Sequence, residues 1–174
     1  MNALTPRHHP CQALADLQTM RERFGTLEGL RLAYVGDGNN CARSLAILGG
    51  MAGVEVVVAS PEGYTLERGL AELTDDPREA AKDADALYTD VWVSMSDEGE
   101  GAEKRRADLA PYQLNEELMS LASDRAIAMH CLPAHPGEEI SEGVLYGDRS
   151  AVWDQAENRL HAQKALLELL LRRT

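Results

Sequence analysis

The chain has 174 residues, 44% of them apolar and 26% charged, and a formal net charge of −12. That length suits one domain with a single core, and the acidic balance excludes a phosphate-backbone partner, which needs a basic face, while leaving room for a small anion held at a local positive spot. No apolar run approaches the roughly 20 residues of a membrane span, and residues 1–10 lack an apolar h-region, so neither a membrane nor a signal peptide is expected.

In chain order, Pro10–Phe24 reads as a helix, with Leu14, Leu17, Met20 and Phe24 at helical spacing and Gly25 and Gly29 as breakers. Residues 30–35 form a short apolar strand that runs into Gly36-Asp37-Gly38-Asn39-Asn40. A helix follows, with Leu45, Leu48 and Met51 on one face and Gly53 as its stop. The β-branched run 54–59 is a buried strand. Strand, glycine-rich turn, helix and strand make a βαβ unit, which implies parallel neighbours and a right-handed crossover. Residues 60–76 carry Pro61, Gly63 and Gly69, and hold at most a short helix and a short edge strand near 70–73. A helix starts at Pro77 and runs to Asp83. Residues 86–89 form a strand leading into Asp90, and 96–108 a charged surface loop or short helix. Asn115 caps a helix over 115–123, 126–131 is a strand, 133–147 a loop rich in glycine and acid, and 154–171 a final helix.

Leu166, Leu167, Leu169, Leu170 and Leu171 make the tail of that helix apolar on nearly every side. Such a tail lies fully in its own core or docks on a partner, and the partner is favoured because a small domain rarely encloses a terminal helix. The fold expected is α/β: one three-layer α/β/α, Rossmann-like domain over 1–174 with a mostly parallel sheet of about five strands.

Strand ends in such a sheet converge on one crevice. The turn Gly36-Asp37-Gly38-Asn39-Asn40 offers backbone amides to an anion, or is only a tight turn. It is not a dinucleotide fingerprint, because Cys41 stands where the third glycine belongs and Ser60-Pro61, not an acid, follow the next strand. His9 and Gln12 flank a helix start marked by Pro10; they face a ligand there or simply cap the helix. Asp90 and Ser94 suit an ammonium between them, or Trp92 is a core anchor with Asp90 capping its turn. Cys131 ends a strand, either as an inert core thiol or as a substrate contact, and no base partner for a nucleophile is legible. Arg159, near a helix N-terminus, opposes the macrodipole and so needs a local reason, either an acid such as Asp154 or Glu157 or a bound anion or carbonyl. The three cysteines Cys11, Cys41 and Cys131 are odd in number and widely spaced, which fits reduced cytoplasmic thiols better than disulfides or a zinc site.

Taken in order, Thr5-Pro6-Arg7-His8-His9-Pro10-Cys11-Gln12-Ala13-Leu14-Ala15-Asp16, Gly36-Asp37-Gly38-Asn39-Asn40, Tyr88-Thr89-Asp90-Val91-Trp92-Val93-Ser94-Met95, His130-Cys131-Leu132-Pro133 and Ala156-Glu157-Asn158-Arg159 resemble one family. From end to end the chain is similar to the C-terminal, ornithine-binding domain of ornithine carbamoyltransferases. The Asp-Val-Trp-Val-Ser-Met and His-Cys-Leu-Pro strings are the specific ones, and separate the ornithine enzyme from its aspartate-using relative.

The resemblance implies transfer of the carbamoyl group of carbamoyl phosphate to L-ornithine, giving citrulline and phosphate, with no cofactor and no metal. It implies that Asn40 and the Met95 backbone hold the ornithine α-carboxylate, that Asp90 and Ser94 hold its α-ammonium, and that Cys131 with Asp90 sits beside the reacting amine. It implies that His9, Gln12 and Arg159 bind the carbamoyl group, with the backbone of Cys131 and Leu132 closing that pocket. Arg159 and His9 are then donors to the oxygen that becomes negative in the transition state, and Cys131, Asp90 and Arg159 the catalytic set. The family's Ser-Thr-Arg-Thr phosphate loop is not found, residues 60–76 look shorter than in the family, and Pro136 stands where many relatives have arginine. The chain is therefore expected to supply one half of such an enzyme, with little turnover alone, and to need a partner carrying the carbamoyl-phosphate domain or to self-associate through its last helix. A non-catalytic amino-acid-binding module is the alternative.

Overall fold

The computed structural model describes residues 3–93, 99 and 101–172. Five strands carry the fold: β1 (Arg31–Val35), β2 (Glu55–Ala59), β3 (Glu72–Thr74), β4 (Ala86–Thr89) and β5 (Ile127–His130). They form one parallel sheet in the order β3-β2-β1-β4-β5. Its inner strands β2, β1 and β4, and β5 beside them, are buried on both faces, which is why they read as apolar runs rather than alternating ones, while the edge strand β3 stays partly exposed.

The helices are α1 (Pro10–Phe24), α2 (Asn40–Met51), α3 (Pro77–Ala81), α4 (Ala102–Leu109), α5 (Glu116–Leu121), α6 (Glu142–Leu145) and α7 (Val152–Arg172). Period-two alternation divides each strand between two cores. Leu32 and Tyr34 face Leu17, Met20, Leu45 and Ala46 of α1 and α2. Ala33 and Val35 face Ala80, Leu118 and Val144 of α3, α5 and α6. α7 packs on α1 and beside β5. The three-layer α/β/α expectation holds.

Local chemistry sets the helix ends. Pro10 occupies the first turn of α1, and Gly25, at φ 80°, closes it by donating to the Arg21 carbonyl. Asn39, Asp76, Asn115 and Ser141 cap α2, α3, α5 and α6 through their side chains.

Three expectations need correction. Met51 is 80% exposed, because α2 faces the sheet with Ala42, Leu45, Ala46 and Gly49. Residues 60–71 form no helix; two glycines at positive φ, Gly63 and Gly69, keep the segment in turns before β3 begins at Glu72. The glycine-rich stretch 133–147 contains α6, whose start is signalled by Ser141 as cap and Glu142 in the first turn. The α7 tail is not enclosed: Leu160, Leu167, Leu169, Leu170 and Leu171 are all exposed.

The turn after β1 is held against the segment after β2. Gly38 N–H donates to the Tyr64 carbonyl at 2.6 Å, and a Cβ at Gly38 would lie 2.7 Å from that oxygen and 2.8 Å from the Leu66 nitrogen. Both neighbours are backbone and cannot turn aside. Gly38→Ala is expected to destabilise by about 1–3 kcal/mol, the usual cost of overpacking. Gly50 in α2 has nothing within 4 Å of its Cβ position, and Gly50→Ala is expected to gain up to about 1 kcal/mol of helix propensity. Urea denaturation of the two variants checks both signs.

Candidate functional site

From β1 the chain moves outward to β2 and β3, then returns to β4 on the other side of β1. The order therefore reverses between β1 and β4, and in an open α/β sheet the crevice beyond the strand ends at such a point is where ligands bind. Asn39 follows β1, and Asp90 follows β4.

Asn39 does two things at once. Its Oδ1 accepts from the N–H groups of Cys41 (2.9 Å) and Ala42 (3.1 Å), capping α2, so its Nδ2 must point away from the helix. That Nδ2 donates to Asp90 Oδ2 at 2.7 Å. Asp90 Oδ1 accepts the Val91 N–H at 2.8 Å and the Cys131 thiol at 2.8 Å. The carboxylate is thus held from β1, β4 and β5 together, and charge-assisted bonds of this kind are the strong ones. The hydrogen bond to Cys41, then burial, then the charges of Cys41 and Asp90, push the Cys131 thiol well above its ordinary pKa. At neutral pH Cys131 is an S–H donor, not a thiolate nucleophile. For Cys41 the hydrogen bond from Cys131 acts downward, but burial and the Asp90 charge outweigh it and raise the pKa.

Asp90 opens on a cleft of about 680 Å³ lined also by Thr5, Asn39, Asn40, Trp92 and Arg105. Asn40 Nδ2 donates to the Thr5 carbonyl at 2.8 Å. Arg105 pairs with Asp37 and donates to the Trp92 carbonyl.

The second group of residues lies where α1 meets α7. Arg159 donates to Gln12 Oε1. Gln12 Nε2 donates in turn to Asp16 Oδ1 at 2.8 Å. Asp16 has no exposed surface and also accepts from Gln155 Nε2 at 2.6 Å. Gln155 Oε1 accepts the His130 N–H at 2.9 Å. Burial, opposed by bonds from Gln12 and Gln155, pushes the Asp16 carboxyl up to about 7. Among the described residues no carboxylate lies within ion-pair distance of Arg159, and its buried Nε has no hydrogen-bond partner. Asp154 pairs instead with Arg23, and Glu157 with His161.

His9 stands at the start of α1, where its side chain makes no cap. Burial, then the Arg159 charge, lower its pKa, so the ring is neutral at pH 7. Its Nδ1 lies 3.2 Å from the Ala3 carbonyl. With the proton on that nitrogen, Nε2 is an acceptor; the donor role expected from sequence needs the other tautomer. The same ring feels the Asp90 charge, so His9 borders both groups.

Leu132 lies between them at φ 58°, a conformation costly for a branched side chain. Its N–H donates to His130 Nδ1 at 2.8 Å. His130 Nε2 lies 3.2 Å from Glu139 Oε1, which also takes the His135 N–H at 2.5 Å. The Leu132–Pro133 bond is cis.

The structure therefore brings Asp90 and Cys131 together, places Asn40 along the cleft, and joins His9, Gln12 and Arg159 at the α1–α7 junction. Ser94 and Met95 lie outside the described residues. Trp92 is indeed a buried anchor, but this does not free Asp90 from the site. Sequence reasoning missed Asn39, Asp16, Gln155, Glu139 and Arg105. Only Asn39 had a visible signal, an asparagine at a helix start. Among the described residues, metal-ligating atoms come within 4.8 Å of one another in two clusters, Cys41–Asp90–Cys131 and His135–Glu138–Glu139. The first is not legible from spacing, because its residues come from three separate segments, whereas the second lies within one short stretch of chain.

Residues 28–170 match the family model of aspartate/ornithine carbamoyltransferase, Asp/Orn binding domain. The chain is 56% identical to an ornithine carbamoyltransferase of Acidothermus cellulolyticus over 98% of its own length and 59% of that protein's. It superposes on the ornithine carbamoyltransferase of Thermus thermophilus with a TM-score of 0.90 at 51% identity, covering 98% of this chain and 58% of that one. For ornithine transcarbamoylase from Giardia lamblia the TM-score is 0.89 at 29% identity, over 97% and 62%. The chain thus spans about three-fifths of the length of the proteins it matches. The first of these alignments runs over 185 positions, more than the 174 residues here, so that relative carries residues this chain lacks.

Asp16 makes a pH prediction. Its folded pKa, about 7, lies above the ordinary 3.8. Its contribution to stability is present in full below about pH 4 and is lost as pH rises through about 7. Urea unfolding at pH 5 and pH 8 is expected to show a larger alkaline loss for the parent than for Asp16→Asn, by on the order of 2–4 kcal/mol. Equal losses would place the proton elsewhere.

Proposed function

The chain belongs to the aspartate/ornithine carbamoyltransferase family, and from that premise we propose that it supplies the ornithine-binding half of an ornithine carbamoyltransferase, which joins L-ornithine and carbamoyl phosphate to give citrulline and phosphate. The observation that carries this reading is the Asp90 carboxylate, fixed at the strand switch point by Asn39 and Cys131 and open to the cleft.

In this reading the α-carboxylate of ornithine meets Asn40 and the Met95 backbone, and Asp90 with Ser94 takes the α-ammonium. The side-chain amine lies beside Cys131 and Asp90 and must be neutral to attack, because an ammonium has no lone pair. A close pocket that excludes water favours the neutral form. The Cys131 thiol, held protonated and turned to Asp90, shapes that pocket without competing as a nucleophile. The carbamoyl group lies against His9, Gln12, Arg159 and the backbone of Cys131 and Leu132. Gln12 presents Oε1 because Asp16 takes its Nε2, which suits the carbamoyl NH₂. Arg159, with no carboxylate partner among the described residues, donates to the carbamoyl oxygen as it gains charge, and aligning the two reactants supplies much of the acceleration. Phosphate then leaves.

We place phosphate binding on a separate carbamoyl-phosphate domain. The exposed leucines of α7 support docking of a partner there, either that domain or a second copy. The three cysteines, none of them in a disulfide, and the lack among the described residues of a helix long and apolar enough to cross a membrane, support a cytoplasmic setting, within arginine biosynthesis.

Calorimetric titration of L-ornithine into the reduced chain, with and without carbamoyl phosphate, tests the reading. Binding is expected in both conditions, and Asp90→Asn is expected to weaken it about 10–100-fold, the value of a hydrogen bond to a charged group. No heat in either condition contradicts a site complete in this chain. Citrulline formation by the chain alone, at rates typical of two-domain relatives, contradicts the half-enzyme assignment. Ornithine binding with no gain in turnover from any added carbamoyl-phosphate domain favours the binding-module alternative.

A further inference from the structure

The chain beyond Pro133 makes a turn that the proposed reaction does not use. In His135-Pro136-Gly137-Glu138 the Glu138 N–H donates to the His135 carbonyl at 2.9 Å. Proline stands second and Gly137, at φ 91°, third, which is the arrangement of a type II turn. The turn is also pinned from outside it. Gln113 Nε2 donates to the Glu138 carbonyl at 2.8 Å, and the Gly137 N–H to the Ile140 carbonyl at 2.8 Å. His135 and Glu138 are thereby brought close, with Glu139 next in the chain. One ligand atom of each of the three lies within 4.8 Å of the other two.

Glu139 is the unusual member. It has no exposed surface, and its Oε2 is buried without a hydrogen-bond partner. Its Oε1 is already used, taking the His135 N–H at 2.5 Å and lying 3.2 Å from His130 Nε2. Oε2 instead faces the His135 ring, with Nδ1 3.7 Å away. A buried carboxylate oxygen left in this way is costly, and a cation beside it removes the cost. Arg106 holds Oε2 of Glu138 at 3.1 Å and so orients the other oxygen. Pro136 puts no charge inside the turn. A first-row divalent ion holds nitrogen and oxygen at about 2.0–2.2 Å, which sets its ligands about 3.0–3.5 Å apart. The side chains of His135 and Glu138 are partly exposed, so small rotations close them on an ion arriving from solvent.

We propose that His135, Glu138 and Glu139 form a binding site for one divalent first-row cation, held by an imidazole nitrogen and two carboxylate oxygens with water in the remaining positions. No sulfur takes part, and none of the groups assigned to ornithine or the carbamoyl group is used. The imidazole favours such ions over magnesium and calcium, which prefer all-oxygen shells. The ion takes no part in the transfer reaction. It neutralises the buried Glu139 carboxylate and braces the turn beside His130, whose Nδ1 receives the Leu132 N–H.

Manganese(II) is the probe, because it prefers oxygen and nitrogen to thiols and the electron paramagnetic resonance signal of the aqueous ion fades when it is bound. The full chain, titrated without substrate, is expected to take up one equivalent with half-saturation at or below about 1 mM, the weak end of oxygen-ligand sites. His135→Ala and Glu138→Gln should each weaken uptake at least about tenfold, the scale seen when even a supporting partner is lost. Cys41→Ser should leave it unchanged. Pro136→Arg should weaken it by a factor that shrinks as salt is raised. Manganese should also raise the melting temperature of the parent but not of His135→Ala. Circular dichroism identifies the folded variants, and the parent titration needs no variant at all. Uptake that survives His135→Ala at full strength, or that is lost in Cys41→Ser, overturns the assignment. So does a parent chain that takes up no manganese well above the stated range. Because no ornithine is present, either outcome leaves the ornithine titration to be judged on its own.

Discussion

A carboxylate with no exposed surface ties the site to the fold. Asp16 accepts from Gln12 on its own helix and from Gln155 on α7, and Gln155 passes the constraint on to the His130 N–H at the end of β5. Gln12 passes it to Arg159. One buried acceptor thereby sets the direction of two glutamine side chains, the height of α7 against α1, and the strand end from which Cys131 emerges. A buried carboxylate is expensive unless it is satisfied or neutral, and here both devices operate: two amide donors, and a pKa raised to about 7. The α1–α7 contact is accordingly specified by polar groups, with Thr19, Gln18 and Glu22 bonded to Asn158 as well.

A second buried constraint works at the other end of the cleft. Asn39 must cap α2 with its oxygen, so its nitrogen is free only for Asp90. The helix cap and the site carboxylate thus share one side chain, and the cleft keeps its charge where the strand order reverses. A net charge of −12 over the whole chain does not preclude local positive spots. The positive groups are few and local: Arg105 at the cleft, and Arg159 with no carboxylate partner among the described residues. The negative charge is spread over the rest of the molecule, and water screens it.

Much of this was legible in the sequence. The β-branched run before Ser60, the proline at the start of α1 and the cap at Asn115 mark elements that the structure reproduces to within a residue or two. So do the segments that converge on the crevice, since parallel strands must end on the same side. The less visible features share one physical cause: they depend on which side chains meet across the sheet. Asp16 reads as a polar position on an amphipathic helix until α7 is laid over it. Asn39 and Asn40 are adjacent and chemically equal, and only the φ/ψ of the cap decides that Asn39 turns to Asp90 while Asn40 turns to Thr5. Cys41 and Cys131 are far apart in the chain and close in space. Met51 was misread because its spacing from Leu48 fits a helix face, whereas the face that packs is the one carrying Ala42 and Ala46.

The central proposal is that this chain supplies an ornithine-binding pocket at its strand switch point. The most direct test is a crystal structure of the chain with L-ornithine. The account predicts the amino acid in the cleft, with its α-carboxylate on Asn40 and its amine groups within hydrogen-bond reach of Asp90 and Cys131. An ornithine bound elsewhere, or a cleft in which Asp90 stays closed onto Cys131 and Asn39 with no ligand at saturating concentration, would contradict it.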